Sequence, residues 1–193
     1  SLIKDWRNGW QHQIPISASF TLFKYLNVTP SFNFTDRMYT NKVEKSWDEE
    51  RQVEKSDTTY GFHNVYNWNM SIGLSTKIYG FWVPNRKIFG DKIQAIRHVF
   101  TPTVNFSYAP DFGASRYGYW ETYQKTDADG NVSLVSYSPY QNGLYGVPGK
   151  GKSGNISFTL GNNIEMKVKS DKDSTGYKKL SIIDAFDINM SYN

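Results

Sequence analysis

"IRHVFTPTVNFSYAPDF", residues 96–112, alternates without a slip. Phe100, Pro102, Val104, Phe106 and Tyr108 fall on one side, and Thr101, Thr103, Asn105 and Ser107 on the other. Successive side chains of an extended strand point to opposite faces, so this run builds a ribbon with one apolar face and one small, uncharged polar face. Two environments ask for such a ribbon: the wall of a lipid-embedded barrel, or one sheet of a large soluble β-sandwich.

The same grammar recurs along the chain. "HQIPISASFTLF" sets Ile14, Ile16, Ala18, Phe20 and Leu22 against Ser17, Ser19 and Thr21. After a tight turn near Lys24 and Tyr25, Leu26, Val28, Pro30, Phe32 and Phe34 alternate with Asn27, Thr29, Ser31, Asn33 and Thr35. Tyr66, Trp68, Met70, Ile72 and Leu74 alternate with Asn67, Asn69, Ser71, Gly73 and Ser75. Ile156, Phe158, Leu160, Ile164, Met166 and Val168 oppose Ser157, Thr159, Glu165 and Lys167, and Phe186, Ile188, Met190 and Tyr192 oppose Asp187, Asn189 and Ser191. That makes about six long strands and no convincing amphipathic helix.

The connections sort by length. Short ones fall near Lys24, from about Gly80 to Asp91, and from Ser170 to Gly176; long ones run over about 36–59 and 111–153. The first long stretch is a dense mixed-charge run, read as a solvated loop or an extended hairpin. The second holds a hairpin of its own, beyond the main sheet, around "ETYQKTDADGNVSLVSY". Alternating short and long connections are what an outer-membrane barrel shows, with tight turns on one side and long loops on the other. An Asn/Ser/Thr face suits an enclosed water-filled lumen, whereas a sandwich's solvent face carries more charge. The expected fold is therefore an all-β, antiparallel, up-and-down transmembrane barrel over residues 1–193.

Composition agrees without deciding. The 193 residues are 38% hydrophobic with a mean hydropathy of −0.61, and no run approaches the ~20 apolar residues of a membrane helix. A barrel strand needs only ~9–11 residues and meets lipid on one side. The aromatic share, 17%, would furnish interfacial girdles or a carbohydrate-binding surface. The net charge of +4 comes from interspersed residues rather than a basic stripe, which argues against nucleic acid as a partner. There is no Cys, hence no disulfide framework or thiolate metal site in this stretch.

Several motifs invite other chemistry and fail on context. Residues 146–153, "GVPGKGKS", fit the nucleotide-binding P-loop pattern, but a period-2 run follows where a helix N-terminus must stand. "DADGN", Asp127 to Asn131, opens like a calcium loop, yet Ser138 stands where the bidentate Glu belongs, and Asp-Gly between alternating runs signals a hairpin. His12, His63 and His98 are scattered. Asn-x-Ser/Thr recurs because any face of Asn, Ser and Thr produces it. Pro15, Pro30 and Pro102 sit inside strands, where a missing N–H points to bulges or strand ends. No catalytic residues, metal ligands or cofactors are nominated, and no enzyme is expected. The alternatives to the barrel wall reading are a porin or solute transporter and, from a different class, a surface carbohydrate-binding sandwich.

At "KIQAIRHVFTPTVNFSYAPDF", residues 92–112, the sequence resembles LptD, the lipopolysaccharide-assembly outer-membrane protein, in its Bacteroidetes-type form. The resemblance extends over "GWQHQIPISASFTLFKYLNVTPSFNFTDRMY", residues 9–39, and from Tyr137 to Asn193, so it covers nearly the whole chain. It implies non-enzymatic insertion of lipopolysaccharide into the outer leaflet of a Gram-negative cell, together with a plug lipoprotein of the LptE type. It also implies a periplasmic bridge that docks on an N-terminal domain, and that residues 1–193 form part of a larger barrel. Under that reading Asn67, Asn69, Ser71, Thr101, Thr103, Asn105, Ser107 and Asn189 face the lumen. Phe20, Phe32, Trp68, Met70, Phe106, Phe158 and Ile188 face membrane lipids, and Lys77, Arg97 and Lys167 meet lipid phosphates.

Overall fold

Period-2 sequence becomes strand in each of these segments. The structure, a computed structural model, describes residues 8–193, with the side chains of residues 184 and 185 set aside. The first seven residues, which the sequence reading includes in the barrel domain, lie outside the described residues. The strands are β1 (Gly9–Ser17), β2 (Phe20–Leu22), β3 (Leu26–Asp48), β4 (Val53–Ser75), β5 (Ile78–Trp82), β6 (Ile93–Ala109), β7 (Glu121–Thr126), β8 (Val132–Tyr137), β9 (Ser153–Lys169) and β10 (Tyr177–Tyr192). Among the described residues helix is confined to α1 (Arg86–Phe89) and a short 3₁₀ turn at Ser115–Tyr117. The main sheet runs β1-β3-β4-β6-β9-β10, with β2 also on β3 and β5 also on β6, and β7 and β8 form a separate hairpin.

Two of the prolines explain where the strands break. The Ala18 N–H donates to the Pro30 carbonyl at 3.1 Å, but Pro30 has no N–H to return, and the strand lapses at residues 18–19 between β1 and β2. The Thr76 N–H donates to the Pro102 carbonyl at 3.3 Å, and the strand lapses again at residues 76–77 between β4 and β5. β2 then turns into β3 through Phe23 and Lys24, with φ of 50° and 67°, and the Tyr25 N–H closes on the Leu22 carbonyl at 3.1 Å. Two positive-φ residues are what a type I′ hairpin requires, here made without glycine.

Of the two readings of the stretch 36–59, solvated loop or extended hairpin, the structure shows the hairpin and corrects the long loop: β3 and β4 run on for 23 residues each and leave only residues 49–52 as a turn. The charges that suggested a solvated loop pair within the extension instead, Lys45 Nζ meeting Glu54 Oε1 at 2.7 Å. β10 also begins earlier than its alternation suggests. Its pairing with β9 shifts register twice, between Ser181 and Ile183 and between Ile183 and Phe186. One slip would turn every later side chain to the opposite face, and the second slip restores the parity.

The chain divides into two compact units. The first contains β1 up to Ile16, Phe32–Met70 and Tyr108–Ser153. Its buried cluster joins Tyr39 and Val65 of the β3–β4 hairpin to Phe112 and Tyr119 of the long connection, with Trp68, Tyr117, Trp120, Tyr140 and Val147 packed against it. The second contains Ser17–Ser31, Ser71–Ser107 and Gly154–Asn193, including the connections at residues 23–25, 83–92 and 170–176.

Candidate functional site

Cross-strand pairing sorts most of the sequence's two residue classes onto separate faces, with exceptions such as Phe186 opposite Asn162. In the second unit the polar residues are stitched from strand to strand: Thr21 Oγ1 donates to Asn27 Oδ1 at 3.0 Å, Thr29 Oγ1 to the Gly73 carbonyl at 3.3 Å, and Thr159 Oγ1 to Asn189 Oδ1 at 2.9 Å. Ser31 and Ser71 share a short hydroxyl–hydroxyl bond. The Thr29–Gly73 and Ser31–Ser71 bonds border an open trough of about 570 Å³, lined by Ser17, Ser19, Thr29, Ser31, Ser71 and Asn105. Gly73 makes the approach possible, since a Cβ there would stand 2.5 Å from Thr29 Oγ1 and 3.0 Å from Asn105 Oδ1. Thr101 and Thr103 are half-buried and Ser107 is exposed. In the first unit Asn33 Nδ2 donates to Asn69 Oδ1 at 3.1 Å, and Arg37 donates to Asn67 Oδ1 at 2.6 Å.

Apolar residues meet their own kind. Phe20 opposes Val28, Ile188 opposes Leu160, Met190 opposes Phe158 and Tyr192 opposes Ile156. Several of the apolar side chains are not covered: Phe20 is 46% exposed, Phe158 41%, Ile188 43% and Phe106 37%, whereas Val28 is buried. Phe32, Trp68 and Met70 are half-buried, and the Trp68 ring lies 5.7 Å from Phe32 and 6.0 Å from Tyr108.

Of the three nominated cations the structure brings together two. Arg97 and Lys167 line one cavity of about 380 Å³ with Phe81, Glu165 and Lys179. Lys77 lies in the break between β4 and β5 and does not line it. Lys179 escaped the sequence reading because its place depends on the register of β10, whose alternation is interrupted by the two slips. Arg97 donates to Glu165 Oε2 at 2.7 Å, and Lys169 pairs with Asp91 Oδ2 at 3.0 Å. That lysine beside Asp91, a turn residue, holds its carboxyl below the usual range.

The long connection is a folded element rather than loose chain. Tyr39 Oη donates to the Gly146 carbonyl at 2.6 Å, and the Tyr66 N–H donates to Tyr119 Oη at 2.8 Å. The Lys45 N–H donates to Tyr137 Oη at 3.0 Å, and the Val43 N–H to the Pro139 carbonyl at 2.9 Å. Burial pushes the Tyr119 phenol up to about 12, because its charged form has no water to meet. The P-loop-like stretch enters strand β9, as its alternation requires, and no helix follows it. In the "DADGN" turn both carboxylate oxygens of Asp127 accept bonds from within the turn, from Asp129 and Asn131, at 2.8 to 3.0 Å.

A family model described as LptD protein matches residues 1–193, the whole chain. The chain belongs to the LptD family. No curated protein and no solved structure matches it. The family acts in lipopolysaccharide transport at the outer membrane of Gram-negative bacteria, so lipopolysaccharide is the cargo and other members of that transport system are the partners. LptD is a lipid-transport protein and not an enzyme. Membership also accounts for a mostly antiparallel sheet that carries rows of exposed large apolar side chains, a surface a water-soluble domain buries. The sandwich alternative required Phe20, Trp68, Phe106 and Ile156 to be packed away against each other; Trp68 is half-buried, but Phe20, Phe106 and Ile156 are 46%, 37% and 37% exposed. The solute-transporter alternative yields to the family's cargo.

Proposed function

We propose that this LptD-family chain is a wall segment of a larger barrel, and that its two faces divide the two halves of the cargo between them. The Asn/Ser/Thr face, with Asn67, Asn69, Ser71, Thr101, Thr103, Asn105, Ser107 and Asn189, borders a hydrated path for the sugar headgroup. The apolar face, with Phe20, Phe32, Trp68, Met70, Phe106, Phe158 and Ile188, meets acyl chains. β1 and β10 pair with other strands but not with each other, which is why further strands are invoked to complete the wall.

The observation that carries the reading is a prevailing segregation: Phe20 with Val28, Leu160 with Ile188 and Phe158 with Met190 on one face, Thr21 with Asn27 and Thr159 with Asn189 on the other, with Phe20, Phe106, Phe158 and Ile188 left exposed. Hydroxyls and amides suit a path better than a binding site. Each exchanges a water for a sugar hydroxyl at a net gain of roughly 0.5–1.5 kcal/mol or less, enough to guide and too little to trap. No covalent step is involved. The resemblance supports two further partners, a plug lipoprotein of the LptE type and a periplasmic bridge docked on an N-terminal domain.

Depletion of the full-length parent protein from growing cells tests the reading. Surface lipopolysaccharide should fall as the protein is lost; unchanged surface lipopolysaccharide would remove the export role.

A further inference from the structure

The pairing of β9 with β10 sets Lys179 directly opposite Lys167. Like charges in directly opposed positions destabilise a sheet, so this pair asks for a counter-charge. The neighbouring carboxylates are engaged elsewhere. Glu165 holds Arg97 at 2.7 Å and Asp91 holds Lys169 at 3.0 Å, and among the described residues no carboxylate pairs with Lys167 or Lys179. Lys167 lies over the Tyr177 ring at 4.4 Å, which positions its ammonium without neutralising it. The shared cavity thus presents three cations and one carboxylate, all within the second unit.

An apolar element stands beside the charge. Phe81 opposes Arg97 across β5 and β6, shares its face, and is 71% exposed. Arg97 keeps the parity of Thr101, Thr103 and Asn105 along β6, so the cluster occupies the same face as the hydroxyl and amide stripe. A doubly charged oxyanion carried on a greasy body matches the set. Two lysines and the guanidinium donors left free by Glu165 would hold the oxyanion, and Phe81 would lie against the apolar part.

We propose that Lys167, Lys179 and Arg97 form a receptor for the phosphate group of an amphiphile. Given the export reading, on which this step rests, that is the phosphate of the transported glycolipid. It is a halting point on a path lined mainly by hydroxyls and amides, where the phosphate replaces the missing counter-ion of the lysine pair.

Binding to the intact protein in nanodiscs tests this with three probes: phosphorylated lipid A, the same lipid A after phosphatase treatment, and inorganic phosphate. The wild type should prefer the phosphorylated lipid by about tenfold or more, the scale of a hydrogen bond to a charged group. Inorganic phosphate should compete poorly. Lys179→Glu should erase the preference while keeping or raising the unfolding temperature, because it turns a repelling pair into an attracting one, so misfolding is excluded as the cause. A wild type that binds both lipid forms equally, or a Lys179→Glu variant that keeps the preference, overturns the receptor and leaves the export reading standing. Equal competition by inorganic phosphate overturns the amphiphile and leaves an ion site only. Failure to bind either lipid form counts against the export reading itself.

Discussion

Aromatic side chains of the same kind meet opposite fates in the two units. In the first, Tyr39 and Tyr119 are 2% exposed and Phe112 4%, because the chain between β6 and β9 folds back as their cover. In the second, Phe106 is 37% exposed and Phe158 41%, and no segment covers them. Residue type does not distinguish these populations. What does is whether the chain supplies a partner: around Tyr39 and Tyr119 it builds a small water-excluding core, and around Phe106 and Phe158 it does not; on the proposed reading lipid takes that place.

Four predictions bear on that contrast. The largest effect should come from Phe106→Arg. Placing a charge on the bare face and losing the ring costs about 4 kcal/mol near the bilayer centre, so assembled protein in the outer membrane should fall to a trace. Asn105→Arg, one residue away on the other face, should assemble nearly as the wild type does. Equal losses would mean that the two faces are misassigned.

Next in size, Tyr119→Ala should remove about 3 kcal/mol from the covered cluster. The damage should be local: residues 111–153 become open to added protease on intact cells while the strands remain assembled. Phe158→Ala should leave protease resistance unchanged.

Alkaline pH probes the same cluster without mutation. The raised phenol of Tyr119 means that folding favours its neutral form. Its contribution is therefore complete below pH 10 and is lost between pH 10 and about 12. Protease resistance of the segment should follow that window, and Tyr119→Phe, which cannot ionise, should widen it upward.

The smallest effect concerns the polar trough. Gly73→Ala puts a methyl 2.5 Å from Thr29 Oγ1 and should lower thermal stability in detergent by about 1 kcal/mol, with Thr29→Ala in the same chain recovering most of it. A deeper loss, or no recovery, would place the strain elsewhere.

Much of this architecture is legible in the sequence. Strict alternation finds the strands because a pleated backbone leaves side chains no other pattern, and the prolines mark where the ladder gives way. The extension of β3 and β4 is obscured because Lys45 and Glu54 look like solvent-seeking charges until pairing is known. The cover over Tyr39 and Val65 is obscured for a related reason. Tyr119 and Phe112 carry no period that tells which strand they will meet, and their positions follow from bonds between residues distant in sequence, such as Tyr66 to Tyr119. Lys179 shows the same limit, since a register shift cannot be counted from alternation that it interrupts.

The central claim is that parity along β6 separates lipid from water. The chain has no Cys, so single nitroxide-labelled cysteines can be introduced at each position from 100 to 108 and read in outer membranes by collision with oxygen, which concentrates in lipid, and with a water-soluble nickel chelate. The account predicts oxygen maxima at 100, 102, 104, 106 and 108 and nickel maxima at the positions between. Nickel maxima at the even positions, or no alternation at all, would contradict it.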